Sequence, residues 1–238
     1  MVSNLFFVDK ISTENIQSIE NEEAHHAIKV LRLSVGELVY VSDGHGKWIS
    51  GPISEISKKS LAIRIENTGE THAEKPELVV VQAFTKSDRN KEMLELVTVS
   101  GADRIIPWSS QRSISKWQSD SREKWMITVK EACKQSKRFR VPIVNNQMST
   151  NEILNEVKTG FVIVFHESAK EKFSEISLPA NLDRIYLIVG PEGGITEEEL
   201  QLFSTINATV VRLGAPILRS AHAGFAAMSA LQTKIGRW

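Results

Sequence analysis

Ile185, Tyr186, Leu187, Ile188 and Val189 form an unbroken apolar run that stops abruptly at Gly190-Pro191-Glu192-Gly193-Gly194. A run this short, rich in β-branched residues and bounded by glycine and proline, reads as a strand buried on both faces. The glycines and proline then force a sharp bend and remove Cβ atoms, so that another group can lie against the backbone. Thr196 and Glu199 supply a capping box, which starts a helix. Strand, glycine bend and capped helix in that order serve equally as a cofactor loop or as a plain βα connection. Glu197, Glu198 and Glu199 narrow the ligand: a phosphate cradle relies on a positive helix end, and this one is loaded with negative charge. A nucleotide triphosphate is therefore disfavoured, and the spacing fits neither a P-loop nor a dinucleotide fingerprint.

Runs of the same kind recur at Leu78–Phe84, Phe161–Phe165 and Thr209–Leu213. They alternate with helical segments, the signature of an α/β fold. A polar loop with Lys86, Asp88 and Arg89 follows the first run, then a helix from about Lys91 to Ser100, a stop at Gly101 and a strand over Arg104–Pro107. A long helix is expected from Ser121 to Arg138, with Trp125, Val129, Ala132 and Cys133 on or near one face. Lys130, Lys134, Lys137, Arg138 and Arg140 make its second half the most basic stretch of the chain. His166-Glu167 closes the 161–165 run, in line with the bends at Gly190 and Gly214. Open α/β sheets bind ligands at such strand ends, so these three ends are expected to line one cavity. The final helix is rich in small residues (Ala221, Ala223, Gly224, Ala226, Ala227), which predicts burial against the domain or a second subunit.

Before residue 70 the pattern is different. Helical periodicity predicts one helix within Thr13–Leu33, followed by short strands at Leu38–Ser42, Trp48–Ile56 and Leu61–Ile65 around an Asp43-Gly44-His45-Gly46 turn, the outline of a small barrel. Asn67–Glu77 is polar and glycine- and proline-punctuated, as a linker would be, and the domain boundary is placed at 72/73. Formal net charge is zero, so any RNA affinity must come from local patches. Cys133 is the single cysteine, which excludes an internal disulfide. There is no run of about 18 apolar residues and no signal-peptide pattern, so no membrane partner and a cytoplasmic location are expected. His25-His26 has no nearby third ligand, and no metal site is expected.

The GPEGG bend with its acidic helix start, then Leu213-Gly214-x-x-Ile217-Leu218-Arg219 and a small-residue helix, resembles the ribosomal RNA small-subunit methyltransferase E family of the SPOUT superfamily. The resemblance covers nearly the whole chain. His26–Arg32 is similar to the family's H-x-x-x-VLR, Arg112-Ser113 to its arginine-serine, and Ala132, Gln135, Ser136 and Arg138 to a further motif. It implies an α/β fold with an N-terminal PUA-like RNA-binding β-barrel (1–72) and a SPOUT methyltransferase domain with a deep C-terminal trefoil knot (73–238). It also implies a homodimer that uses S-adenosyl-L-methionine to methylate uracil N3 of a uridine in 16S rRNA of the small ribosomal subunit. Cofactor contacts would come from His166, Glu167, Ile188, Val189, Gly190, Glu192, Gly193, Gly194, Leu213, Gly214, Ile217 and Leu218. RNA contacts would come from Arg32, Lys86, Arg89, Arg112, Lys134, Arg138 and Arg140. Arg219 is the catalytic candidate, orienting the uracil or stabilising its developing charge, with His222 the candidate base and packing beneath the loop its competing role. The last motif departs from the family's usual glycine-proline-arginine-x-leucine-arginine-threonine-glutamate: Pro216 and Ala221 stand where arginine and glutamate are common. Two other functions stay open, a SPOUT methyltransferase of another RNA nucleotide and a non-catalytic RNA-binding or ribosome-assembly protein.

Overall fold

The computed structural model describes residues 3–85 and 87–238. The chain divides into two compact units, one comprising everything up to Ala73 together with Cys133–Val141, the other Glu74–Ala132 together with Pro142–Trp238.

The first unit is built on β1 (Asn4–Phe7), β2 (Ile16–Glu20), β3 (Leu38–Ser42), β4 (Lys47–Ile56), β5 (Ser60–Arg64) and β6 (Asn67–Glu70). Their order is β1-β3-β4-β5-β2, with β6 also on β4. Phe6, Ile19, Val39, Val41, Ile49, Ile53, Leu61 and Ile63 fill its core. Gly51 permits the close approach of β4 to the chain after β5, because a Cβ there would lie 1.8 Å from the Arg64 carbonyl oxygen. Two expectations are corrected. Thr13–Leu33 is not one helix: Gln17 and Ile19 point inward while Ile16, Ser18 and Glu20 are exposed, a two-residue period that pairs β2 antiparallel with β5. Only after Asn21, at φ +57°, does the chain turn into a short helix α1 (Asn21–His25) and a π-helical turn over His26–Val30. The supposed linker also begins later, since Asn67–Glu70 pairs with Lys47–Ser50.

Cys133–Val141 is part of this unit, and its basic side chains are not a solvated face. Lys134 Nζ lies 2.7 Å from Glu23 with its side chain 12% exposed, Lys137 donates to the Ser3 carbonyl, and Arg140 donates to the carbonyls of His45 and Thr71. Phe139 stacks on Trp48 at 5.1 Å between ring centroids, and its carbonyl accepts from Ser42 Oγ.

The second unit contains β7 (Glu77–Ala83), β8 (Arg104–Ser109), β9 (Ile143–Val144), β10 (Met148–Ser149), β11 (Phe161–Phe165), β12 (Arg184–Val189) and β13 (Thr209–Val211), with helices α2 (Ser87–Val99), α3 (Ser121–Ser136, whose last turn from Cys133 belongs to the first unit), α4 (Thr150–Glu156), α5 (Glu197–Ser204) and α6 (Ser220–Lys234). α2 begins earlier than the hydrophobic periodicity alone indicates, and α3 stops two residues short of Arg138. The order is β10-β8-β7-β12-β11-β13, with β9 also on β8, and every pairing is parallel. This accounts for the near-continuous apolar runs, because a parallel sheet covered on both faces leaves no strand a solvent side. Leu78, Val79, Val80, Val81, Ile185, Leu187 and Ile188 are all 0% exposed. α6 buries Ala221, Gly224, Ala227, Met228 and Leu231 and packs on α2, β7 and β12. That face is therefore covered by its own unit.

Register fixes what lies at the carboxyl ends. Gln82 is opposite Val189, Val189 opposite Phe165, and Phe165 opposite Val211. The residues that leave this row, Gly190, His166 and Arg212, consequently emerge side by side.

Candidate functional site

Above that row the chain encloses a cavity of roughly 390 Å³, within the range typical of small-molecule sites. Phe165, His166 and Glu167 form one wall, Val189, Gly190, Glu192 and Gly194 a second, and Leu213, Gly214, Ile217, Leu218 and Arg219 a third. The three strand ends singled out in the sequence are thus brought together.

Each wall has a local cause. At the Gly190 bend, the Gly194 N–H donates to the Pro191 carbonyl at 3.0 Å, and Gly194 has φ +74°, a conformation that other residues adopt at a cost. A Cβ on Gly190 would lie 2.7 Å from Ile195 Cγ1, so the bend can press on the start of α5 only with glycine there. The capping box is present as read: Thr196 Oγ1 accepts from the Glu199 N–H, and the Glu199 carboxylate accepts from the Thr196 N–H. Glu199 is 0% exposed. Its carboxylate also accepts from the Gln111 N–H at 2.9 Å and from Thr150 Oγ1 at 3.1 Å. Arg112, next to Gln111, donates to the Gly193 carbonyl at 2.8 Å. A cap residue in the sequence is therefore also a buried tie between the loop after β8 and the glycine bend.

The His166 side chain is 10% exposed, with Nδ1 within 3.1 Å of Ser168 Oγ. The third wall is held by Ser220, whose Oγ donates to the Gly190 carbonyl at 2.5 Å and accepts from Gln82 Nε2 at 3.1 Å.

Not every sequence candidate reaches the cavity. Ile188 points into the hydrophobic core, one residue below the row, and Gly193 lies outside the lining, against Arg112. His222 is not in the lining either. Its Nε2 lies 3.1 Å from Glu92 Oε1 on α2 and its side chain is 43% exposed, which is not the cavity position that a base would need. Arg89 does line it, while Arg32 is exposed in the first unit and Lys86 lies outside the described residues. Arg138 is half-buried at the end of the basic run. Arg212 was not anticipated and lines the cavity. Its backbone is clamped by the Glu171 carbonyl and the Phe173 N–H, and its place in the register beside His166 is the signal that could have revealed it.

The lining suits a small ligand with both a cationic centre and polar groups. Glu167 and Glu192 carry negative charge, Arg89, Arg212 and Arg219 positive charge, and Phe165, Val189 and Ile195 give an apolar floor. The exposed 214–218 segment offers main-chain groups that can satisfy a heterocycle without side chains. Among the described residues no group of three or more His, Cys, Asp or Glu is placed to hold a metal ion.

Residues 73–232 match the family model for the RNA methyltransferase domain, and residues 19–66 match that for the RNA methyltransferase PUA domain. The ribosomal RNA small subunit methyltransferase E of Mycobacterium tuberculosis (strain CDC 1551 / Oshkosh) is 33% identical, the match covering 100% of this chain and 94% of that protein. The chain belongs to the ribosomal RNA small subunit methyltransferase E family. The Bacillus subtilis (strain 168) family member is 30% identical over 92% of this chain and 91% of its own. The crystal structure of the Neisseria gonorrhoeae family member bound to S-adenosyl methionine superposes with a TM-score of 0.88 at 27% identity, covering 98% of each chain. A predicted RNA methyltransferase from Thermotoga maritima superposes with a TM-score of 0.71 at 26% identity, covering 97% of this chain and 99% of that one. Within this methyltransferase E family member, the two departures of the last motif now have locations. Pro216 lies on the exposed rim of the cavity, and Ala221 is buried at the start of α6 with 2% exposure.

Proposed function

We propose that the protein transfers a methyl group from S-adenosyl-L-methionine to uracil N3 of a uridine in 16S rRNA. The observation that carries this reading is the convergence of the 166–167, 190–194 and 213–219 segments on one cavity, in a chain whose relatives are named for small-subunit rRNA methylation and whose Neisseria counterpart holds S-adenosyl methionine. When bound, the cofactor supplies a methyl group already activated on a sulfonium, so the protein's own task is placement and charge control. The bends at Gly190 and Gly214 would hold it through main-chain groups, with His166, Glu167 and Glu192 around it. Arg219 begins the last helix from the cavity rim and would orient the uracil and stabilise charge on its carbonyl as the N3 proton leaves. His222, bonded to Glu92 outside the lining, is given no part in that step.

Residues 1–72, completed by Cys133–Val141, would form a PUA-like RNA-binding barrel and the rest of 73–238 a SPOUT domain with a deep trefoil knot, the enzyme working as a cytoplasmic homodimer. Support for the knot comes from α6. It returns to β7, β12 and α2 although β13 before it pairs at the edge beyond β11, so the last segment must cross back over the sheet. RNA contact would fall to Arg32, Arg89, Arg112 and Arg138, and to Lys86, three residues before Arg89. Lys134 and Arg140 already hold the first unit together.

Calorimetry with S-adenosyl-L-methionine, then mapping of methylated nucleotides in rRNA from a deletion strain, tests the reading. Cofactor binding and a missing N3-methyluridine in 16S rRNA are the expected results; a missing mark on another nucleotide, or no binding, refutes it. Arg219→Ala should abolish methyl transfer while leaving cofactor affinity within a few fold, and full activity in that variant would remove Arg219 from the mechanism.

A further inference from the structure

Gln82 is out of character for its strand. Leu78, Val79, Val80, Val81 and Ala83 around it are apolar and fully buried, and Gln82 is 0% exposed as well. A buried amide costs stability unless it is hydrogen-bonded. Gln82 Nε2 donates to the Ala83 carbonyl and to Ser220 Oγ, each at 3.1 Å, while its Oε1 has no hydrogen-bond partner. α6 accommodates the amide with a glycine: a Cβ on Gly224 would lie 3.1 Å from Gln82 Oε1 and 3.0 Å from Val97 Cγ1. An aliphatic side chain here would fill the core without burying the unpaired Oε1, so packing alone does not account for the glutamine.

The amide's second donor bond shows what it does. Ser220 is the first residue of α6, one position past the N-cap Arg219, and no side chain caps that helix end. The Ser220 hydroxyl instead reaches across to the Gly190 carbonyl at 2.5 Å. A hydroxyl has one proton to give. Because Ser220 gives it to Gly190, it must accept from Gln82, and only the NH₂ end of the amide can supply that bond. The three groups form a directed chain from β7 through α6 to the end of β12, and it joins two walls of the cavity.

We propose that Gln82 and Ser220 are positioning residues that set the separation of the Gly190 bend from the 213–219 loop and so the affinity for the methyl donor. This rests on the cofactor reading of the cavity. Gln82 lies outside the lining and Ser220 at its edge, and the effect runs through their hydrogen bonds to the two walls. Their effect is to fix the orientation of the Gly190–Pro191 peptide and the direction in which Arg219 leaves the helix.

Calorimetric titration of the purified full-length protein with S-adenosyl-L-methionine tests the idea in four variants. Ser220→Ala and Gln82→Met are each expected to weaken binding about tenfold, a single hydrogen bond's worth. Ser220→Thr, which keeps the hydroxyl, should restore affinity to within about threefold. The double variant Gln82→Met/Ser220→Ala should be no weaker than Ser220→Ala alone, because the two act as one chain. A purely structural role would lower the melting temperature of the ligand-free protein without this pattern of affinities. Undiminished binding by Ser220→Ala, a Ser220→Thr as weak as Ser220→Ala, or multiplicative losses in the double variant overturns the inference; if Ser220→Ala does not fold, Gln82→Met and Ser220→Thr decide it by the same criteria. No binding by the unmutated protein overturns the cofactor reading, and this inference with it.

Discussion

Removing the Glu199 carboxylate should damage the protein far more than loss of a helix cap. The cap itself is worth about 1 kcal/mol. Glu199→Ala also strips the acceptor from the Thr196 and Gln111 N–H groups, at 3.1 and 2.9 Å, and from two threonine hydroxyls. Hydroxyls can rotate toward other partners, but backbone amides cannot. The buried Thr196 N–H then costs about 1–3 kcal/mol, and the Gln111 N–H, nearer to solvent, rather less. The space left by the missing side-chain atoms adds about another 1 kcal/mol, for a total of roughly 4 kcal/mol. Glu199→Gln keeps one oxygen and the side-chain volume, but turns a donor toward one of the two amides, so about 2 kcal/mol is expected. Urea unfolding at neutral pH measures both: the midpoints should fall in that order with the slope unchanged. Amide exchange at Gln111 should accelerate in both variants, because the loop carrying Arg112 loses its anchor. A cost below about 1 kcal/mol for Glu199→Ala, or equal costs for the two variants, would refute this account of the buried carboxylate.

Burial raises the Cys133 thiol from an ordinary 9.0 to about 11, against a smaller opposing pull from Arg138. The folded state therefore favours the neutral thiol, and the associated stability is complete below pH 9 and lost as pH rises toward 11, about 2–3 kcal/mol in all; urea melts of Cys133→Ala should lack that part of the decline, and the native thiol should resist alkylation at pH 8. Gly101 has φ +97°, and a Cβ there would fall 2.2 Å from Gln232 Nε2. Gly101→Ala should cost about 3 kcal/mol by thermal melts, since it combines backbone strain with displacement of the Gln232 bond to the Ser100 carbonyl.

The second unit was legible because a parallel sheet imposes a coarse signal. Leu78–Phe84, Phe161–Phe165 and Ile185–Val189 had to be apolar throughout, and the polar or glycine residue after each run marked a strand end. The capping box at Thr196 was legible for a similar reason, since its bonds join residues three apart. Gln82–Ser220 and Glu199–Gln111 were not, because each joins residues far apart in sequence. Arg212 was missed because it becomes a cavity residue only once β13 is placed beside β11. In the first unit the error at Thr13–Leu33 came from mixing two periods: Ile16 and Ile19 are three apart, as on a helix, but the alternation through Gln17 shows that β5 decides the conformation. The internal partners of the basic run were not legible, because nothing local to it announces Glu23, Ser3 or His45.

Because Cys133–Val141 belongs to the first compact unit, that unit is not encoded by one uninterrupted stretch of chain. A fragment ending at Ala73 would lack the ring that stacks on Trp48, the cation that pairs with Glu23 and the group that accepts from Ser42. The unit is thus not a detachable cassette: transplanting it to another protein would require stitching in a second, distant piece of the polypeptide.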